Sequence, residues 1–90
     1  MEKGPRIVSP KEGLIYHVRV TPESGEVLNL EATTEIPHEK LHWFVDTAYL
    51  GVSEASTALL WKPRPGRHLI RAVDDAGRAD SRLVTVTTVE

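Results

Sequence analysis

The sequence of 90 residues lacks cysteine, long apolar runs and blocks of like charge. The absence of cysteine excludes disulfide bonds, so a chain of this length must be stabilised by a well-packed core. Because the apolar runs span only a few residues, we predict no membrane span in this segment and no secretory leader before the domain. The 11 basic residues are interspersed with 13 acidic residues. Without a basic cluster, we predict no nucleic-acid partner.

Short segments of alternating apolar and polar residues recur along the chain, separated by glycine, proline or aspartate. This alternation is typical of strands with one buried face, and turns about every 8 to 12 residues are typical of a Greek-key sandwich. We therefore predict an all-β fold, an immunoglobulin-like Greek-key β-sandwich of about seven strands. One domain is expected over residues 1–90, with a core within about 6–89. The alternating segments are 6–9, 14–20, 26–33, 40–46, 49–52, 57–62, 67–74 and 79–89.

Two tryptophans are the largest candidates for the core. Trp43 is in phase with Leu41 and Val45, and Trp61 is in phase with Leu59. Both indoles are therefore predicted to fill the space between two sheets rather than to form sugar-binding platforms. The same alternation predicts the other inward positions, which are Leu14, Tyr16, Val18, Val20, Leu28, Leu30, Ala32, His68, Ile70, Ala72, Val84 and Val86.

The histidines and acidic residues form no recognisable metal or catalytic motif. The four-residue spacing of His38 and His42 would bring the two side chains together on one face of a helix, but the strand pattern around His42 places them about 13 Å apart. Asp74, Asp75 and Asp80 lack the spacing of a calcium-binding loop. The segment 74–77 instead predicts a turn, in which Gly77 adopts a positive φ. We predict no metal, no cofactor and no catalytic residue.

Three further residues have candidate roles outside the core. Phe44 points away from the Trp43 face, and Tyr49 lies near a strand connection, so these two are the candidate binding residues. Outward aromatic side chains can contact a partner, or they can cover a neighbouring strand. His68 follows Pro65-Gly66-Arg67 at the entry to a strand, where sandwiches often place a tyrosine that bonds to nearby backbone. We expect His68 to make such a structural bond.

The order of several short landmarks resembles that of a known family. The landmarks are Ile7-Val8-Ser9-Pro10, Gly13 with Tyr16, Trp43-Phe44-Val45-Asp46 with Leu50-Gly51, Trp61 with Pro63 and Pro65-Gly66-Arg67-His68, and Val73-Asp74-Asp75 with Gly77-Arg78. Taken together, from about Arg6 to Val86, they resemble the C-terminal domain of bifunctional penicillin-binding proteins of the 1C type.

The resemblance implies a small β-sandwich that follows the glycosyltransferase and transpeptidase domains of a peptidoglycan synthase anchored in the inner membrane. Such a domain would lie in the periplasm. The chain has none of the transpeptidase motifs Ser-x-x-Lys, Ser-x-Asn and Lys-Thr-Gly, so the implied role is that of a non-catalytic accessory domain. We expect it to bind or brace an envelope protein or the adjacent transpeptidase domain. The alternatives are a carbohydrate-binding module for the glycan strands of peptidoglycan and a generic adhesin-type repeat.

Overall fold

The computed structural model describes residues 4–13, 15–19 and 26–89, which form eight β-strands and no helix. The strands are β1 (Arg6–Ser9), β2 (Ile15–Arg19), β3 (Leu28–Thr33), β4 (Lys40–Val45), β5 (Ala48–Glu54), β6 (Leu59–Trp61), β7 (Gly66–Val73) and β8 (Ala79–Val89). Strand β5 is longer than the predicted strand at 49–52, and β6 is shorter than the predicted strand at 57–62. The expected inward positions Leu14 and Val20 lie outside the described residues.

The strands form two sheets, one with the order β1-β3-β6 and one with the order β2-β8-β7-β4-β5. Every described neighbour pair is antiparallel except β2 with β8, which run parallel from Ile15 opposite Thr85 to Arg19 opposite Val89. The N-terminal part of the chain therefore contributes one strand to each sheet. These features confirm the predicted immunoglobulin-like sandwich.

The core lies between the two sheets and is formed by alternate residues of facing strands. Trp43 is fully buried and Trp61 is 7% exposed, which confirms the prediction that both indoles belong to the core. The indole Nε1–H of Trp43 donates a hydrogen bond to Ser53 Oγ at 2.9 Å, so the polar atom of this side chain is satisfied. The remaining buried apolar residues are Ile7, Val18, Leu30, Ala32, Leu41, Val45, Ile70, Ala72, Val84 and Val86.

The turn between β7 and β8 is organised by the side chain of Asp74, which is fully buried. Its Oδ1 accepts hydrogen bonds from the backbone N–H groups of Ala76 and Arg78, at 3.0 and 2.9 Å, and its Oδ2 accepts one from Arg78 Nε at 2.9 Å. Burial raises the pKa of Asp74, but these bonds from Arg78 and Ala76 outweigh it and hold the pKa below 3.8. Gly77 has a φ of 83°, as predicted for a turn glycine.

Candidate functional site

The outer surface of the five-stranded sheet carries the two predicted binding residues side by side. In the strand register, Phe44 is opposite Tyr49 on β5 and opposite Arg71 on β7, so all three side chains share the outer surface. The Phe44 and Tyr49 ring centroids are 5.3 Å apart, and the Arg71 guanidinium lies over the Phe44 ring, 5.4 Å from its centroid. We call this set, together with His42, the aromatic face.

Hydrogen bonds orient two residues of the aromatic face, His42 and Tyr49. His42 Nδ1 lies 3.1 Å from the Tyr49 hydroxyl oxygen, and His42 Nε2 lies 3.4 Å from Asp75 Oδ1. Tyr49 nevertheless remains 55% exposed. The face therefore presents an aromatic ring and a positive charge to solvent with little conformational freedom left to lose on binding.

Exposed apolar side chains extend the aromatic face across the sheet. Leu69 on β7 lies directly opposite Leu83 on β8. Val52 on β5 lies opposite His42 on β4. These three side chains are between 40% and 46% exposed. Single exposed apolar residues are common on protein surfaces, and these three flank the aromatic face on its two sides.

A second surface feature, which we call the edge groove, lies where β5 and β6 form neighbouring edges of the two sheets. It is open, has a volume of about 560 Å³, and has an apolar lining that includes Leu50, Leu60 and Trp61. Leu50 belongs to the irregular part of β5, because the register with β4 shifts between Trp43 and Phe44. Such a bulge bends a strand and redirects the side chains on it.

The polar residues of the edge groove are Asp46, His68, Lys62 and Arg64. Asp46 connects β4 to β5 with a φ of 55°, a left-handed conformation that aspartate tolerates better than most residues. His68 bonds through Nδ1 to Asp46 Oδ2 at 2.9 Å and through Nε2 to the Arg64 carbonyl oxygen at 2.8 Å. The expected bond between His68 and nearby backbone is therefore present.

The Asp46 carboxylate also ties β4 to β7, because its Oδ1 accepts a hydrogen bond from the Leu69 backbone N–H at 2.9 Å. The hydrogen bonds from His68 and Leu69 lower the pKa of Asp46 below 3.8, against a smaller opposing effect of burial. The His68 ring in turn packs edge-on against Trp61, with 5.3 Å between centroids. One wall of the groove is thus fixed by bonded polar groups.

The other residues considered for chemistry are separated from one another. His38 Nδ1 contacts Glu54 Oε1 at 3.0 Å, away from the partners of His42. Asp80 Oδ2 accepts a hydrogen bond from the Ile7 backbone N–H at 2.9 Å and so ties β1 to β8. Within residues 4–13, 15–19 and 26–89, no three histidine, aspartate or glutamate residues are grouped in a way that could hold a metal ion.

Sequence reasoning named Phe44 and Tyr49 as separate surface candidates, which the structure places side by side, and it missed the edge groove. A partial signal was present, because Leu60 alternates with Leu59 and Trp61 and therefore had to point outward. The groove lies between edge strands of two different sheets, and the alternation within one segment of sequence does not predict how the edges of two sheets lie relative to each other.

Two sheets with this strand order form an immunoglobulin-like β-sandwich, and comparison with solved structures finds the same fold. The fibronectin(III)-like modules of CbhA from Clostridium thermocellum match with a TM-score of 0.71 and 22% sequence identity, over 96% of this chain and 99% of that chain. At this level of identity the similarity shows the fold alone.

The chain belongs to the Penicillin-Binding Protein C-terminus Family, whose sequence profile matches residues 1–86. The resemblance inferred from the landmark residues is thereby confirmed. No curated protein matches the sequence. The described residues contain no helix that could cross a bilayer.

Proposed function

We propose that this chain is a non-catalytic accessory domain of a peptidoglycan synthase and that it docks on a protein partner through the aromatic face. Family membership supports attachment to a penicillin-binding protein, and such an enzyme would place the domain in the periplasm. The roles of Asp46, Asp74 and Asp80 support a non-catalytic domain, because each carboxylate already bonds to backbone N–H groups of this fold.

The contact between Arg71 and Phe44 is the observation that favours a protein partner over a glycan. The guanidinium lies over the face of the Phe44 ring, where a sugar ring would have to stack. Tyrosine, phenylalanine and arginine, which form this face together with His42, are enriched at the centres of protein interfaces. A sugar-binding platform instead needs open ring faces with polar groups around them.

The preceding transpeptidase domain of the same enzyme is the partner we propose. A covalently attached domain meets its neighbour at an effective concentration of about millimolar when the linker is short. A face with one well-ordered aromatic cluster is sufficient under those conditions, because the translational cost of association is largely removed. The domain would then brace the transpeptidase domain in one orientation.

Nuclear magnetic resonance titration of the labelled chain tests this proposal. We expect the separately purified transpeptidase domain to shift amide signals at His42, Phe44, Tyr49 and Arg71. The double substitution Phe44→Ala with Tyr49→Ala should weaken binding at least about tenfold, since truncation of such residues typically costs 1 kcal/mol or more each. Val8→Ala is the matched control, because Val8 is 41% exposed on the other sheet.

Soluble peptidoglycan fragments form the second arm of the same titration. Localised shifts at Phe44, Tyr49 or a tryptophan with these fragments, combined with no response to the transpeptidase domain, would contradict the proposal and favour a carbohydrate-binding module. A response to neither probe at about millimolar concentration would contradict docking through the aromatic face.

A further inference from the structure

We propose that the edge groove binds an extended, acidic peptide, which adds as a new strand along β5 and places apolar side chains in the groove. This binding goes beyond the proposed function and uses different side chains. Ala48 and Leu50 line the groove, whereas Tyr49 between them pairs with Phe44 on the aromatic face. The two surfaces can therefore be tested independently.

The exposed edge of β5 is the first observation. Strand β5 ends the five-stranded sheet, and among the described strands it pairs only with β4. One row of its backbone N–H and C=O groups is therefore open to another strand. Gly51, with a φ of 145°, would have no atom within 4 Å of an added Cβ, so incoming backbone can approach closely at this position.

The apolar lining of the groove is the second observation. Leu60 is 63% exposed, the highest value among the exposed large hydrophobic residues, and Leu50 on the facing edge is 36% exposed. The groove volume of about 560 Å³ falls within the range of about 300 to 1,000 Å³ found for ligand sites. An extended peptide directs alternate side chains to the same surface, so apolar residues at every second position would enter this space.

The charged side chains of the edge groove favour an acidic peptide. Within the described part of the chain, the side chains of Lys62 and Arg64 make no ion pair or hydrogen bond. The groove carboxylate, Asp46, is already bonded to His68 and the Leu69 backbone. The groove thus presents two unpaired positive charges beside an apolar lining, and acidic side chains on the peptide complement them.

Two blocked peptides of about seven residues are the probes, and both carry valine at the third and fifth positions and threonine at the even positions. They differ only at the first and seventh positions, which carry glutamate in one peptide and lysine in the other and face the same side as the valines. We expect the glutamate peptide to shift amide signals of Ala48, Leu50, Leu60 and Lys62 in a saturable manner. Strand addition should also slow hydrogen exchange of amides within β5 at least about tenfold. The lysine peptide should bind at least about tenfold more weakly, and added salt should reduce this difference.

Substitutions at exposed positions test the contribution of the groove to peptide binding without disturbing the core. Leu60→Glu should weaken binding of the glutamate peptide at least about tenfold. The double reversal Lys62→Glu with Arg64→Glu should exchange the preference between the two peptides. Val8→Glu is the matched control, because it adds the same charge at an exposed position of β1, the opposite edge of the sheet that contains β6. The Val8→Glu variant should bind the glutamate peptide with a Kd within about twofold of that of the unmodified chain.

Several results would overturn the inference. These are equal binding of the two peptides, full binding by the Leu60→Glu variant, shifts confined to other surfaces, or no binding of either peptide at about millimolar concentration. Shifts at the groove with no slowing of exchange in β5 would show that strand addition is wrong. The aromatic face plays no part in these peptide measurements. A negative result for the edge groove therefore does not contradict docking on the transpeptidase domain, which is tested by its own titration.

Discussion

Replacing Asp74 with alanine removes the carboxylate that organises the turn between β7 and β8. Three donors lose their acceptor, namely the backbone N–H groups of Ala76 and Arg78 and the guanidinium of Arg78. A hydrogen bond to a charged group contributes about 1.5 to 3 kcal/mol, but the donors lie in a partly exposed turn and can rehydrate in the variant. We therefore expect a loss of about 2 to 4 kcal/mol in the free energy of unfolding, well below the sum of three full bonds.

Urea denaturation at neutral pH measures this loss, and thermal unfolding provides a second readout. For a domain of this size, about 3 kcal/mol corresponds to a fall of about 12 to 24 °C in Tm. Asp75→Ala is the control one residue away. The Asp75 side chain is 70% exposed and contacts His42 at 3.4 Å, so its removal should change stability by less than about 0.5 kcal/mol.

The pH dependence follows from the lowered pKa of Asp74. Because the folded-state pKa lies below the ordinary value, the ionised carboxylate stabilises the fold above about pH 4, and this contribution is lost as the pH falls through the folded-state pKa. Asp74→Asn has no such titration. The stability difference between the unmodified chain and this variant should therefore narrow in acid. The reasoning would be refuted if the stability difference between the unmodified chain and Asp74→Asn stayed constant as the pH falls below about 4. It would also be refuted if Asp74→Ala lowered the free energy of unfolding by less than about 1 kcal/mol.

Three other substitutions test the packing and the groove wall. Ser53→Ala leaves the Trp43 Nε1–H without its acceptor, which should cost about 1 to 2 kcal/mol in urea denaturation; no change would mean that water replaces the hydroxyl. Ile70→Ala should cost about 2 to 5 kcal/mol because Ile70 is fully buried, whereas Leu69→Ala should cost less than about 1 kcal/mol; similar losses would contradict the assigned faces of β7. Asp46→Ala should cost only about 1 kcal/mol because the carboxylate is half-exposed, and this loss should shrink as the pH falls from about 4 through the lowered pKa.

Local alternation accounts for what the sequence could predict. Trp43 and Phe44 are adjacent in the chain, and their opposite orientations follow from the two-residue period of a strand. The same period identified Leu30, Ile70 and Val84 as core residues. Phe44 and Tyr49 are only five positions apart, so a single tight connection between two strands was enough to place them near each other.

Features that depend on distant parts of the chain could not be predicted. The pairing of β2 with β8 joins residues about 70 positions apart, and nothing within either segment specifies that partner. The full burial of Asp74 was also unexpected, because an aspartate in a turn is usually exposed. In this case the missed partners are local, since Ala76 and Arg78 lie two and four positions further along the chain. The edge groove requires knowledge of both sheets at once.

The parallel pairing of β2 with β8 has a mechanical consequence. The chain enters this pair at Ile15, opposite Thr85, and leaves it at Val89, opposite Arg19. Tension applied to the two ends of the domain reaches β2 once β1 has been released from β3. It would then slide β2 and β8 past each other lengthwise, loading all of their backbone bonds together. A hairpin pulled open at one end would instead release its bonds in succession. The β2–β8 pair is therefore expected to resist stretching along this axis more strongly than a hairpin that opens from one end.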